Sequence, residues 1–390
     1  MTQTALTHLK VLDLSWHIAG PYCTKILADY GAEVIKVERP ETGDPSRAAG
    51  PFKNNEENLN ASGLFAYLNN NKQSITLDLK SEHSIRIIKQ LVKDMDLLVE
   101  NFAPGVMQRL GLDYETLKAI NPKLVMVSIS NFGQQGEFAH YKATEIITQA
   151  MSGFLSSVGE PNREPVRAAG QLRILEYITG TFAASSAIAA CRGARVAGIG
   201  AYLDISIAEM GLLQRSYPTV QNSYPTSVFK YEGRYVMLPG IEQCKDGHVG
   251  ISVLTGQHWQ GFCFMIEAYD WVEDERFTTL PQRLMHKDIF QERLDAFLME
   301  RTTEEVLALG NEWRVPVTLV PTFEDLLSLD QYVEREFFVE VNHPELGIMK
   351  QPGAPFRMSK TPWSIRTSAP LLGEHNEKTF KPFYDKSTQV

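Results

Sequence analysis

The chain has 390 residues, of which 43% are hydrophobic and 22% charged, and a formal net charge of −9. A soluble protein of this length buries about three quarters of its unfolded surface, so a large core or two domains are expected. The acidic balance argues against nucleic acid as a main partner, since no basic excess exists to neutralise phosphates, although one local basic patch would suffice for a small anion.

The first elements come quickly. Val11 to Ser15 is an apolar run long enough for a buried strand, and Gly20 and Pro21 punctuate the chain just after it. Pro21 suits the first turn of a helix, where its missing N–H costs nothing. Ile26, Leu27 and Tyr30 give that helix an apolar face and Gly31 ends it. Glu33 to Glu38 is a second strand, closed by Arg39-Pro40, and the whole is a β-α-β unit of a parallel sheet. It lacks GxGxxG, so a dinucleotide fingerprint is excluded. Cys23 within this helix is expected to pack in the core rather than act as a nucleophile.

Thr42 to Ser62, rich in Pro, Gly, Asn and charge, reads as a surface loop. Ser74 to Leu79 alternates as a strand, and Ser81 can cap a helix carrying Ile85, Ile88, Leu91, Val92 and Met95. Leu97 to Glu100 and Leu124 to Ser130 are further strands, the second leading into a loop from Asn131 to Gly136. Thr144 to Leu155 and Leu175 to Cys191 are helices, Ala201 to Ser206 a strand and Ile207 to Leu213 a helix. Strands alternating with helices predict an α/β fold with a large Rossmann-like domain and a mostly parallel sheet. Tyr217 to Tyr231 reads as a connector. Beyond it come short strands at Arg234 to Leu238 and His248 to Val253, then helices at Gln257 to Ile266, Pro281 to Arg301 and Thr303 to Glu312, a smaller α+β domain.

No run of about eighteen apolar residues predicts a membrane helix. MTQTALTHLK lacks the apolar segment of a signal peptide. The four cysteines, Cys23, Cys191, Cys244 and Cys263, form no CxxC. A cytoplasmic, reduced protein with no metal site and no membrane partner is expected.

The AGP turn, the run LADYGAEVIKVERP and the GDPSR after it resemble the opening of the class III CoA-transferases, the family of formyl-CoA and carnitine CoA-transferases. FVEVNHPELGIMKQPGAPFRMSKTP and APLLGEHN near the end are similar to that family as well. The resemblance implies that residues 1–215 and 335–390 form the large CoA-binding domain, with a linker and small domain over 216–334. It also implies an interlocked homodimer acting on an acyl-CoA and a small carboxylic acid. Coenzyme A would be a substrate, with no tightly bound cofactor.

In that family a carboxylate side chain attacks the thioester carbonyl, forming a mixed anhydride. The released CoA thiolate then attacks the anhydride, leaving the side chain as a CoA thioester, so one hard step becomes two easier ones. The family nucleophile is an aspartate at a helix start, four residues before a glycine. RILEYITG puts Glu176 there, and no aspartate lies between Gly153 and Gly200. Glutamate carries its carboxylate one methylene further out, and near-attack geometry is sensitive to about 1 Å. The competing reading of Glu176 is an acid favoured by the helix dipole.

HYKATEIITQAMSG resembles the loop and helix lining that active site, with Lys142 in the loop. Glu145 matches an acidic position that holds a hydrogen-bond network or acts as a base; a solvated first-turn acid is the alternative. In the racemase branch a histidine stands where this chain has Thr144, and His140 is out of register. For CoA the resemblance points to Arg39 near the adenine or its phosphate, to Lys72 and Leu77 beside the nucleotide, and to Asn101, Phe102 and Arg109 along the pantetheine and phosphates. Arginine stacks on purines and donates paired hydrogen bonds to phosphate. Asn101 and Phe102 stand at a strand end, where open α/β sheets bind ligands. His17 and Ile18, at the mouth of the same crevice, would touch the acyl group, and Ile18 disfavours an acid as small and charged as oxalate. The glycine run of the formyl-CoA branch is absent from YVMLPGIEQCKDG, where Gly240 is isolated, so formyl-CoA transferase proper is not expected. The alternatives are an acyl-CoA racemase or other enolising enzyme, a silent CoA-binding subunit, and a nucleotide-binding α/β protein.

Overall fold

A computed structural model describes residues 4–159, 164, 172–224 and 237–387. They fall into two compact units, one holding the N-terminal half together with the chain from Phe337 onward, the other ending at Glu336.

The first unit is built on a six-stranded parallel sheet. Its strands are β1 (Lys10–Asp13), β2 (Glu33–Glu38), β3 (Lys72–Thr76), β4 (Leu97–Glu100), β5 (Val125–Ser130) and β6 (Tyr202–Ser206), in the order β3-β2-β1-β4-β5-β6. Between them run α1 (Ala19–Asp29), α2 (Gly63–Leu68), α3 (Glu82–Val92), α4 (Val106–Leu110), α5 (Tyr114–Ile120), α6 (Glu145–Met151) and α7 (Ile174–Ala197). After β6 come α8 (Ile207–Leu213) and α9 (Ser216–Ser223). Every residue of β4 and β5 is buried, as a sheet covered by helices on both faces requires. Side chains alternate between two cores. Val11, Val34, Val99 and Val127 meet α1 and α7 residues such as Leu27 and Ala183. Leu12, Ile35, Leu98 and Met126 meet the α3 residues Ile88 and Leu91.

The small residues of α7 let it press against α1. A Cβ at Gly180 would stand 2.6 Å from the Ala19 carbonyl oxygen. Among the described residues α7 is, contrary to expectation, long and apolar enough to cross a membrane by length and composition alone. One side of it nevertheless belongs to the core, through Leu175, Ala183, Ala184 and Ala187.

The stretch read as a surface loop is closed over buried charge. Arg47 is fully buried, its Nε and Nη2 donating to the two Glu38 carboxylate oxygens at 2.7 and 2.9 Å. Asp44 pairs with Lys36 at 2.8 Å and accepts the Ser46 N–H at 2.7 Å. Lys36 also donates to the Ser15 carbonyl, and Asp13 accepts from Thr24 and Lys72. Three acids thus meet three bases beneath β1, β2 and β3. Composition concealed this, because each partner comes from a different segment. Arg47 also donates to the Pro370 carbonyl at 3.0 Å, and the Asn71 N–H donates to Thr367 at 3.0 Å, so the C-terminal stretch is part of this unit. That stretch carries the hairpin β10 (Phe338–His343) and β11 (Gly347–Pro352), and ends in α15 (Asn376–Ser387).

The second unit has a small antiparallel sheet of β7 (Ile241–Gln243), β8 (His248–Ile251) and β9 (Val317–Leu319). Its helices are α10 (Gly256–Met265), α11 (Leu280–Met285), α12 (Lys287–Leu298), α13 (Thr303–Trp313) and α14 (Asp330–Glu334). Trp259, Phe262, Trp271, Phe277 and Phe290 form its aromatic core. The helix expected over Pro281 to Arg301 is broken at His286, which ends α11 and precedes α12. The strand expected at Arg234 falls partly outside the described residues, and α9 occupies the start of the expected connector. β9 was not anticipated, since three residues carry no periodicity.

Candidate active site

The strand order reverses between β1 and β4, and in such sheets ligands bind beyond the strand ends at that point. The connections leaving these two strands are locked to each other. Asn101 Nδ2 donates to the Trp16 carbonyl at 2.7 Å, and its Oδ1 accepts the Trp16 N–H at 2.8 Å. His17 has a left-handed backbone, φ 62°, and donates its N–H to Asp44 Oδ1 at 3.1 Å. The buried ionic cluster therefore holds the loop that presents His17. Glu100, raised to about 7 by burial, accepts the Phe102 N–H at 2.7 Å and fixes the other side.

Two concavities meet here, sharing His17, Asn101, Phe102 and Ala103. One is a groove of about 930 Å³ lined by Trp16, Arg39, Leu77, Phe102, Val106 and Leu110, among others. The Arg39 guanidinium lies 3.9 Å over the Trp16 ring, and Phe102 meets Trp16 edge-on at 5.0 Å. A planar cation stacked on an indole beside apolar walls can take an aromatic base and its phosphate.

The other is a cavity of about 590 Å³, whose wall includes His17, Lys142, Glu145, Arg173 and Glu176. Glu145 lies in the first turn of α6 and is buried. Its Oε1 accepts the Leu175 N–H at 3.1 Å, satisfying a backbone donor at the start of α7, and Gln149 Nε2 at 3.2 Å. Glu145 thereby sets the position of the α7 first turn, where Glu176 stands. Arg173 Nη1 donates to Glu176 Oε1 at 2.7 Å. Burial raises the Glu176 carboxyl above its usual value, Arg173 draws it back, and the neighbouring Glu145 charge raises it again; the net direction is upward. A carboxylate that is partly desolvated, held by one cation and facing a cavity has the character of a nucleophile or a base.

Of the expected site residues, His17, Asn101, Phe102, Lys142, Glu145 and Glu176 line the cavity, and Arg39 and Leu77 line the groove with His17, Asn101 and Phe102. The amide of Asn101 is spent on the Trp16 backbone. Two expectations need correcting. Lys72 does not stand beside a nucleotide: its buried ammonium contacts Asp13 at 3.1 Å, Thr24 at 2.8 Å, Asn69 at 2.9 Å and the Pro21 carbonyl at 2.9 Å. Ile18 is buried ahead of α1 and lines neither concavity. Arg109 is exposed on α4, the helix whose Val106 and Leu110 line the groove. Two residues escaped the sequence reading. Trp16 carried no signal beyond its place after a strand, and Arg173 reaches Glu176 from a left-handed residue ahead of α7, which helix spacing does not reveal.

The chain is 31% identical to succinyl-CoA–D-citramalate CoA-transferase of Chloroflexus aurantiacus, over 96% of this chain and 93% of that protein. It is 29% identical to succinate–glutarate CoA-transferase of Agrobacterium fabrum, over 95% and 93%. A crystal structure of a CAIB/BAIF family protein from Brucella suis superposes with a TM-score of 0.85 at 26% identity, covering 98% of this chain and 100% of that one. Residues 6–376 match CoA-transferase family III, and the chain belongs to that family.

Proposed function

We propose that the protein transfers CoA from an acyl-CoA donor to a small carboxylic acid, with Glu176 carrying CoA in between. The observation that carries this reading is the place of Glu176, in a cavity that opens onto the groove with the stacked Arg39. The nucleotide of an acyl-CoA lies in the groove, and its thioester reaches the cavity past His17 and Phe102. The Glu176 carboxylate attacks the thioester carbonyl, forming a mixed anhydride and releasing the CoA thiolate. The thiolate attacks the Glu176 carbonyl, expels the donor acid and leaves a glutamyl-CoA thioester. The acceptor carboxylate then attacks this thioester, and the same two steps run in reverse. Glu145 acts by positioning the first turn of α7. Relatives named for succinyl-CoA, glutarate and citramalate favour short dicarboxylic acids as the substrate class.

The route predicts where oxygen goes. With an acceptor labelled by ¹⁸O in its carboxylate, one labelled oxygen becomes the anhydride bridge and stays on Glu176 when the product thioester leaves. Label in the Glu176 peptide after turnover supports the route; turnover without label there rules it out.

The protein is also proposed to work as an interlocked homodimer in the cytoplasm. Phe182, Ile188 and Val196 on α7, with Leu212 and Leu213 on α8, are exposed apolar side chains that a second chain could cover. Light scattering checks this: the mass of two chains is expected, and that of one chain contradicts it.

A further inference from the structure

The ion pair at the mouth of the cavity is asymmetric. The Glu176 side chain is 13% exposed, whereas that of Arg173 is 46% exposed. Arg173 has a left-handed backbone, φ 50°, immediately before α7, and this turns its guanidinium back over the first turn of the helix. Both side chains line the cavity. A guanidinium stays charged at any working pH and matches a carboxylate with parallel N–H groups.

The reaction proposed above, on which this inference rests, changes the charge of only one member of the pair. As a carboxylate Glu176 satisfies Arg173 at 2.7 Å. As a CoA thioester Glu176 is neutral, and the guanidinium beside it has lost the carboxylate it is bonded to, with the Glu145 charge left nearby. The species then required next to the thioester carbonyl is another carboxylate.

We propose that Arg173 is the acceptor-binding residue, exchanging the carboxylate of Glu176 for that of the incoming acid once Glu176 has been converted to its thioester. The exchange places the acceptor oxygen beside the carbonyl carbon it must attack. The acceptor carboxylate adds to that carbon, the C–S bond breaks, and CoA leaves as its thiolate, so the step is balanced in atoms and charge. The same device orders the reaction: before charging, the acceptor must compete with Glu176 for Arg173, and afterwards it need not. Lys142 lines the same cavity, but Arg173 is the cation whose partner the chemistry removes.

The test charges the full-length protein with an acyl-CoA, removes the excess, and tracks loss of the enzyme thioester on adding either an acceptor carboxylate or hydroxylamine, a neutral nucleophile. In Arg173→Met the acceptor concentration for half-maximal discharge rises by about ten- to a hundredfold, the loss of a charge-assisted hydrogen bond, while discharge by hydroxylamine is unchanged. Arg173→Lys falls between the two and serves alone if the methionine variant does not fold. Unchanged half-saturation by the acceptor overturns the proposal. So does an equal fall in both discharge rates, which marks damage to the first turn of α7. A folded Arg173→Met that never charges also overturns it, since Arg173 then serves only to keep Glu176 ionised. If the wild-type chain itself never charges, it is the Glu176 reading that fails.

Discussion

Two clusters of charge in the first unit have opposite characters. Beneath β1 to β3, Asp13, Lys36, Glu38, Asp44, Arg47 and Lys72 are buried, and each contacts several polar partners. At the cavity, Glu176 and Arg173 share one bond, and the cation is half exposed. The first arrangement is over-determined: removing any member strands a charge where water cannot reach it. The second leaves room for a change of partner. The family signature GDPSR belongs to the first cluster, so in this protein its Asp44 and Arg47 hold the loop behind His17 rather than touch a substrate. A signature can mark the scaffold of a site as readily as its chemistry.

The contrast can be broken from either side. Glu176→Gln is expected to lower transfer by at least about a thousandfold, with no change in the denaturant midpoint, because its partner Arg173 can turn to solvent. Loss of stability instead would place Glu176 among the structural charges. Arg47→Met is the converse. It leaves Glu38 buried without its cation and is expected to cost about 3–5 kcal/mol of unfolding free energy. Adding Glu38→Gln should recover part of that loss, a coupling readable in a double-mutant cycle.

The buried cluster also has a pH signature. Burial alone would raise the Asp13 carboxyl, but Lys36, Lys72 and the Ser15 and Thr24 hydroxyls together bring it from 3.8 down to about 2. A carboxyl depressed on folding contributes stability above its unfolded value and loses it as the pH falls toward the folded one. About 2 kcal/mol should therefore disappear between roughly pH 4 and pH 2, visible in urea unfolding across that range and largely absent in Asp13→Asn. The smallest effect lies at the cavity. Glu176 is raised above its usual 4.5, so charging by an acyl-CoA should fail on the acid side at a higher pH than an ordinary glutamate would give. Removing Arg173 takes away a downward pull, and Arg173→Met should move that limb further up.

Much of this was legible in the chain. The apolar runs at Val11 to Ser15, Leu97 to Glu100 and Leu124 to Ser130, alternating with helical segments, announced a mostly parallel sheet. Glu176 was singled out because the motif around it survived the change from aspartate, and it lines the cavity. What stayed hidden depended on partners far apart in sequence. Arg47 looked solvated among Pro, Gly and Asn, because Glu38 and the Pro370 carbonyl cannot be seen from within GDPSR. Lys72 was expected beside a nucleotide, because its partners Asp13 and Thr24 lie on other elements. Arg173 was hidden although its partner is three residues away, because its left-handed backbone ahead of α7 puts it outside the helix spacing.

The most direct test of the account is the mass of the Glu176 peptide after the protein meets an acyl-CoA and is trapped with hydroxylamine. A hydroxamate on Glu176, absent without acyl-CoA and absent in Glu176→Gln, is the predicted result. Turnover of CoA between acids with Glu176 never modified would contradict it.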